Sequence, residues 1–210
     1  MKASYKTIKS FSSSEIIIQK SRFIGWAAPV SSEKDALDLI QKAKDTYKDA
    51  SHHCYAYTLG TNMGIMRYSD AGEPSGTAGL PMMEVIKKEN VRNCICVVTR
   101  YFGGVLLGAG GLLRAYTQGT SVALKAAGIV EMVPTVSLLC EVSYSQWDRV
   151  QHHIQSMPVQ LLSPEFTTAV AFTLLVREKD LDPVMQDLIS ITESHITMLE
   201  DSHSDMAWDI

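Results

Sequence analysis

An α+β fold in two domains is predicted by three features of this 210-residue sequence. Short β-rich runs alternate with amphipathic helices, residues 131–210 read as six segments in the order β-α-β-β-α-β, and the charge balance changes sign near residue 130. Met1 to Val130 holds 16 Lys/Arg against 10 Asp/Glu, while Glu131 to Ile210 holds 3 against 13. A +6 half therefore joins a −10 half, and domains of 1–130 and 131–210 are expected. At 46% hydrophobic and 20% charged residues, a packed chain is expected rather than a disordered one.

In the first domain, Ser14–Lys20 and Arg22–Ala28 read as strands. Ser31 or Ser32 can cap a helix whose apolar positions Ala36, Leu39, Ile40, Ala43 and Tyr47 follow helical spacing. Ser51–Leu59 reads as a strand and Met63–Tyr68 as its hairpin partner across Gly60-Thr61-Asn62. Residues 69–79 are nearly all turn formers, and Thr77 is placed to cap a helix holding Met82, Met83, Val85 and Ile86. Residues 94–99 read as a strand that feeds a glycine loop, and a helix from Leu112 stops near Gly128.

The second domain follows a break at Pro134. Val136–Val142 reads as a strand, Gln146–Met157 as a helix, Val159–Leu162 and Thr167–Val176 as strands, Leu181–Ile191 as a helix and His195–Leu199 as a strand. That order is the split-βαβ, ferredoxin-like arrangement.

The stretch Thr99–Tyr116 organises the first domain. Gly103, Gly104, Gly108, Gly110 and Gly111 mark backbone that needs φ > 0 or that another group approaches closely. A strand, a glycine loop and a helix N-terminus in succession suit an anion, although neither the G-x-G-x-x-G pattern nor a G-K-[ST] is present. Arg100, Tyr101, Phe102, Arg114 and Tyr116 with these glycines form the candidate surface for phosphates, stacked bases or a protein partner. The competing reading pairs Arg100 with Asp70 or Glu73 and packs Tyr101 and Phe102 under the loop. His53, Asp70, Glu73, Ser75, Thr77, Lys87 and Lys88 are secondary candidates. Asp70 and Glu73 as a Mg²⁺ site or acid/base pair is the enzymatic alternative, but two turn carboxylates make no metal cage. His52 and Cys54 share a strand face, which gives two ligands where zinc needs three or four. No catalytic residue, metal or cofactor is assigned.

Ser51–Tyr57, Ser69–Gly79 and Arg100–Gly104 through Arg114–Tyr116 together resemble the IMPACT family, most closely its bacterial YigZ/YvyE-type members. The resemblance spans residues 20–128 and implies an N-terminal domain similar to elongation factor G domain IV and a ribosomal-protein βαβ fold. It implies a ferredoxin-like C-terminal domain similar to that factor's domain V. Eukaryotic relatives are translational regulators that occupy a ribosome-associated kinase activator, and RNA or ribosome binding is the usual suggestion for bacterial ones. Many relatives carry a basic residue where this chain has Leu106, and an additional acid where it has Ala71.

The expected function is a cytosolic, non-enzymatic protein that binds RNA, the ribosome or a translation-associated protein. A phosphate-ligand enzyme built on the glycine loop and a protein-interaction module without nucleic-acid contact are the alternatives. Reduced thiols at Cys54, Cys94, Cys96 and Cys140, no secretory leader and no membrane-spanning run set the cytosolic expectation, with no membrane partner. The sequence does not set the oligomeric state.

Overall fold

The computed structural model describes residues 4–209. Contacts divide it into two compact units, one built on Tyr5–Glu131 and the other on Met132–Trp208.

The first unit runs β1 (Tyr5–Ile8), β2 (Ser12–Ile18), β3 (Ser21–Pro29), α1 (Glu33–Thr46), β4 (His52–Leu59), β5 (Ile65–Ser69), α2 (Gly79–Lys88), β6 (Cys94–Tyr101) and α3 (Gly108–Ala127). Its five-stranded antiparallel sheet has the order β2-β3-β6-β4-β5. Strand alternation supplies a core on each face. Phe23, Ala27, Cys54, Ala56, Cys96 and Val98 pack with α2 and α3, whereas Ile24, Trp26, Ala28, Ile95 and Val97 pack with α1. Helix α1 starts as expected at Ser32, whose hydroxyl accepts from the Asp35 N–H in a capping box, and it buries Ala36, Ile40 and Ala43.

The second unit contains β7 (Ile129–Val142), which enters from the first, then α4 (Tyr144–Ile154), β8 (Val159–Leu161), β9 (Glu165–Phe166), β10 (Val170–Arg177), α5 (Leu181–Ile191) and β11 (Thr197–Asp209). A 3₁₀ turn at Glu178–Asp180 precedes α5. The strands run β11-β7-β10-β8, with the two-residue β9 added to β10. That order and the sequence of elements give the ferredoxin-like arrangement. Leu138, Cys140, Phe172 and Leu174 bury one sheet face against Trp147, Val150, Val184 and Leu188 of the helices.

Three expectations are corrected. Helix α3 begins at Gly108 rather than Leu112, because burial of Leu112, Ala115 and Tyr116 stabilises the helix and its exposed first turn extends through the glycines. Pro134 lies inside β7, one residue before the pairing with β10 begins at Thr135, so it stays clear of that ladder. Thr77 does not cap α2; its hydroxyl donates to the Pro74 carbonyl instead.

Gly25 and Gly119 face each other where α3 crosses the sheet, and only Gly25 is required there, so they predict opposite outcomes. A Cβ on Gly25 of β3 would lie 2.9 Å from the Gly119 carbonyl oxygen and 3.0 Å from the Ala123 Cβ. A Cβ on Gly119 would meet Val98 at 3.6 Å and Ile16 at 3.8 Å, which is ordinary contact. By urea unfolding, Gly25→Ala is expected to cost about 1–3 kcal/mol. Gly119→Ala is expected to be neutral or to stabilise by up to about 1 kcal/mol, through helix propensity.

Candidate functional site

The turn-rich segment after β5 and the segment leaving β6 meet around one buried carboxylate. Glu73, 8% exposed, accepts from Arg100 Nη1 at 2.8 Å and from the Tyr116 hydroxyl at 2.7 Å, both at Oε1. Its Oε2 lies 3.9 Å from His52 Nε2. Burial, with Cys54 and Glu73 alongside, pushes the Tyr116 hydroxyl well up, so it remains a donor to the carboxylate. The Arg100 guanidinium lies over the rings of Phe23 and Phe102, 5.5 and 5.7 Å from their centroids, and its Nη2 donates to Ser21 Oγ. The same hydroxyl accepts the Gly103 N–H. One ion pair thus ties together β3, β4, β6, α3 and the 70–79 loop.

Asp70 fixes that loop from inside. Its carboxylate accepts the N–H groups of Gly76, Ala78 and Gly79 at 2.8–3.0 Å, and so satisfies donors at the start of α2. Burial alone would raise this carboxyl, but the three N–H bonds outweigh it and hold it below the ordinary carboxylate range. Cys54 donates to the Asp70 carbonyl, and His52 Nδ1 lies 3.0 Å from the Ala71 carbonyl. Two close approaches exclude any side chain larger than glycine's hydrogen: a Cβ on Gly79 would meet Ser69 backbone at 2.7 Å, and one on Gly103 would meet Lys20 backbone at 2.1 Å.

The outer face of this scaffold is apolar and open. Phe102, Val105, Leu106 and Leu113 are 49%, 41%, 86% and 46% exposed. A Cβ on Gly104, Gly108 or Gly110 would meet nothing within 4 Å. Helix α3 has no acid in its first turn and no side-chain cap. Beside it, Leu80 of α2 and Leu113 of α3 line a groove of about 320 Å³, with Gly76 at one end and Lys88 among its walls. Arg114 is exposed next to Leu113.

Among the sequence-predicted residues, Arg100 and Tyr116 are not on the surface. They are 6% and 0% exposed because β6 is a central strand and both are drawn to Glu73, which is the expected Arg100–Glu73 alternative. Phe102 does not pack beneath the loop, and half of it faces solvent. Tyr101 donates to Asp49 at 2.8 Å and carries the Arg22 guanidinium on its ring, so it is already engaged. Gly111 is half-buried against Leu107. Ser75 is exposed, Lys87 pairs with Glu84 at 2.8 Å, and Lys88 is exposed in the groove wall. His53 sits away from His52 and Cys54 at Thr99 Oγ1, 3.1 Å away, and burial lowers its pKa. Burial pushes the Cys54 thiol up to about 12, the reverse of what a nucleophile needs. No group of three or more His, Cys, Asp or Glu suited to a metal ion occurs among the described residues. No described helix is long and apolar enough to cross a membrane. Sequence reasoning missed Ser21, the hinge between Arg100 and Gly103, and the exposed leucines Leu80, Leu106 and Leu113. An apolar residue inside a glycine-flanked loop was the available signal for Leu106.

Residues 19–124 match the Impact N-terminal domain, and residues 140–193 match a domain of unknown function, DUF1949. The chain is 38% identical to the IMPACT family member YvyE of Bacillus subtilis, over 94% of each chain. It is 32% identical to the IMPACT family member YigZ of Escherichia coli, over 75% of this chain and 77% of that one. A protein IMPACT homolog of Saccharomyces cerevisiae is 35% identical over 42% of this chain and 35% of its own. The crystal structure of a hypothetical protein covers 96% of the chain and 99% of its own at 25% identity and a TM-score of 0.61.

Removing the Glu73 carboxylate leaves Arg100 buried without its counter-ion, so Glu73→Ala is expected to lose about 3–5 kcal/mol in urea unfolding. Asp70→Ala is expected to lose about 2–3 kcal/mol at neutral pH, from hydrogen bonds to a charged acceptor. Because folding lowers the Asp70 pKa, its contribution is complete above the ordinary carboxylate value and is lost as pH falls through the lower folded-state value. The stability gap between wild type and Asp70→Ala therefore narrows in acid, which unfolding curves across that range measure.

Proposed function

The chain belongs to the IMPACT family, and we propose that it is a cytosolic, non-enzymatic binding protein of the translation apparatus. It engages RNA, the ribosome or a ribosome-associated protein through the loop after β6 and the first turns of α3. The observation that carries this reading is Leu106, 86% exposed, on a loop whose other end is pinned by Gly103 to the β2–β3 turn. A large apolar side chain held out on a fixed backbone costs little ordering on association, as a contact residue requires. Arg114, exposed in α3, and Lys88, in the wall of the groove that Leu113 lines, fit a partner that carries phosphates or carboxylates. Regulation of translation is the role that the family resemblance implies.

Asp70 and Glu73 would be the acids of the enzymatic alternative. The first is occupied by three backbone N–H groups and the second by Arg100 and Tyr116, an arrangement that supports binding over acid/base work. A purely protein-protein reading is favoured by the run of exposed apolar side chains, Phe102, Val105, Leu106 and Leu113.

Ribosome co-sedimentation of the intact protein, across a salt series, tests the proposal. Leu106→Asp is expected to weaken binding at least tenfold, and Arg114→Ala to flatten its salt dependence, both with unchanged melting temperature. Phe102 is less suited to the test because its ring also lies against Arg100. Binding by folded Leu106→Asp and Arg114→Ala at wild-type strength would reject this face. A steep loss with salt identifies contacts to phosphates or carboxylates, and weak salt dependence identifies an apolar protein contact.

A further inference from the structure

The ferredoxin-like unit carries a second surface, on the side of its sheet away from α4 and α5. Alternation turns Leu138, Cys140 and Phe172 into the core and sends Leu139, Glu141 and Ala171 the other way. Leu139 is 40% and Leu199 63% exposed, and both border a shallow cavity of about 340 Å³ that Glu141, Glu165 and Ala171 share. The strand register orders the charges. Ala171 of β10 pairs with Glu141 of β7 on one side and with Glu165 of β9 on the other. Two carboxylates thus flank one methyl group in a single cross-strand row, their backbones about 10 Å apart at the usual strand spacing.

Among the described residues of 131–209, no Lys or Arg pairs with either carboxylate. From Glu131 to Ile210 the Lys/Arg residues are Arg149, Arg177 and Lys179. Arg149 pairs with Glu193 at 3.3 Å, Arg177 lies 4.5 Å over the Trp208 ring, and Lys179 sits in the 3₁₀ turn. With 13 Asp/Glu against 3 Lys/Arg, the segment repels a phosphate backbone. A second copy meeting it through the same face is no better an occupant, because that two-fold contact would set this acidic face against itself.

We propose that this sheet face docks a basic protein segment. Two Lys or Arg side chains of that segment meet Glu141 and Glu165, and an apolar side chain between them sits on Ala171 beside Leu139 and Leu199. Charge complementarity selects the partner, and the exposed leucines supply the apolar contact.

A fluorescent nine-residue Lys–Leu peptide, in which Lys, Leu and Lys occupy alternate positions with Ser between them so that all three share one face of an extended chain, is titrated into the full-length protein at low salt as the probe, with the matching Glu–Leu peptide as control. The Lys–Leu peptide is expected to bind and the Glu–Leu peptide not to bind. Glu141→Gln with Glu165→Gln should weaken the Lys–Leu peptide at least tenfold while circular dichroism stays unchanged. Glu141→Lys with Glu165→Lys should bind the Glu–Leu peptide instead. Leu106→Asp should leave all of this unchanged, which keeps this surface separate from the loop after β6. Equal binding of the Lys–Leu peptide to wild type and to the double Gln variant, or no binding to wild type at millimolar peptide, would overturn the proposal.

Discussion

The buried Glu73–Arg100 ion pair is the constraint on which the first domain depends. A carboxylate and a guanidinium removed from water are costly unless further partners offset the hydration they lose. Here the Tyr116 hydroxyl donates to the carboxylate, Ser21 Oγ accepts from Arg100 Nη2, and the guanidinium carbon lies over the rings of Phe23 and Phe102, while Arg100 Nε stays buried with no hydrogen-bond partner among the described residues. Those residues come from β3, from the segment that leaves β6 and from α3, so satisfying one pair of charges fixes the positions of several elements. The hydroxyl of Ser21 carries the constraint onward to the Gly103 N–H, and from there to the glycine loop.

This arrangement separates scaffold from surface. The polar residues that look most chemical in the sequence, Asp70, Glu73, Arg100 and Tyr116, bond to one another and to the backbone. What they hold outward is apolar: Phe102, Val105, Leu106 and, in α3, Leu113. A binding protein needs such a division, since a contact surface gains affinity when its backbone is already ordered. The second unit repeats the division with opposite charge, presenting Leu139 and Leu199 beside Glu141 and Glu165.

Much of this was legible in the residues. The 3.6-residue spacing of Ala36, Ile40 and Ala43 marked α1, and the capping serine was readable with it. The six segments after residue 130 marked the ferredoxin-like unit, although β11 extends to Asp209 through a polar stretch with no hydrophobic alternation to announce it. Glycine density correctly signalled close approach at Gly103 and positive φ at Gly104 and Gly108. The inward direction of Arg100 was legible only as the competing reading, its pairing with Asp70 or Glu73. Sequence periodicity distinguishes the two faces of a strand, but β6 is covered on both faces, so neither orientation reads as exposed. The start of α3 was hidden for the opposite reason: local glycine propensity argues against helix, and tertiary packing of Leu112 and Tyr116 overrides it.

Hydrogen exchange on Glu73→Gln tests most directly whether one ion pair holds both loops. The substitution keeps the side chain's size and removes its charge. The account predicts faster exchange in residues 70–79 and 102–108 together, while the β2–β3 ladder and α1 keep wild-type protection. Loosening confined to the 70–79 loop, with residues 102–108 unchanged, would contradict it.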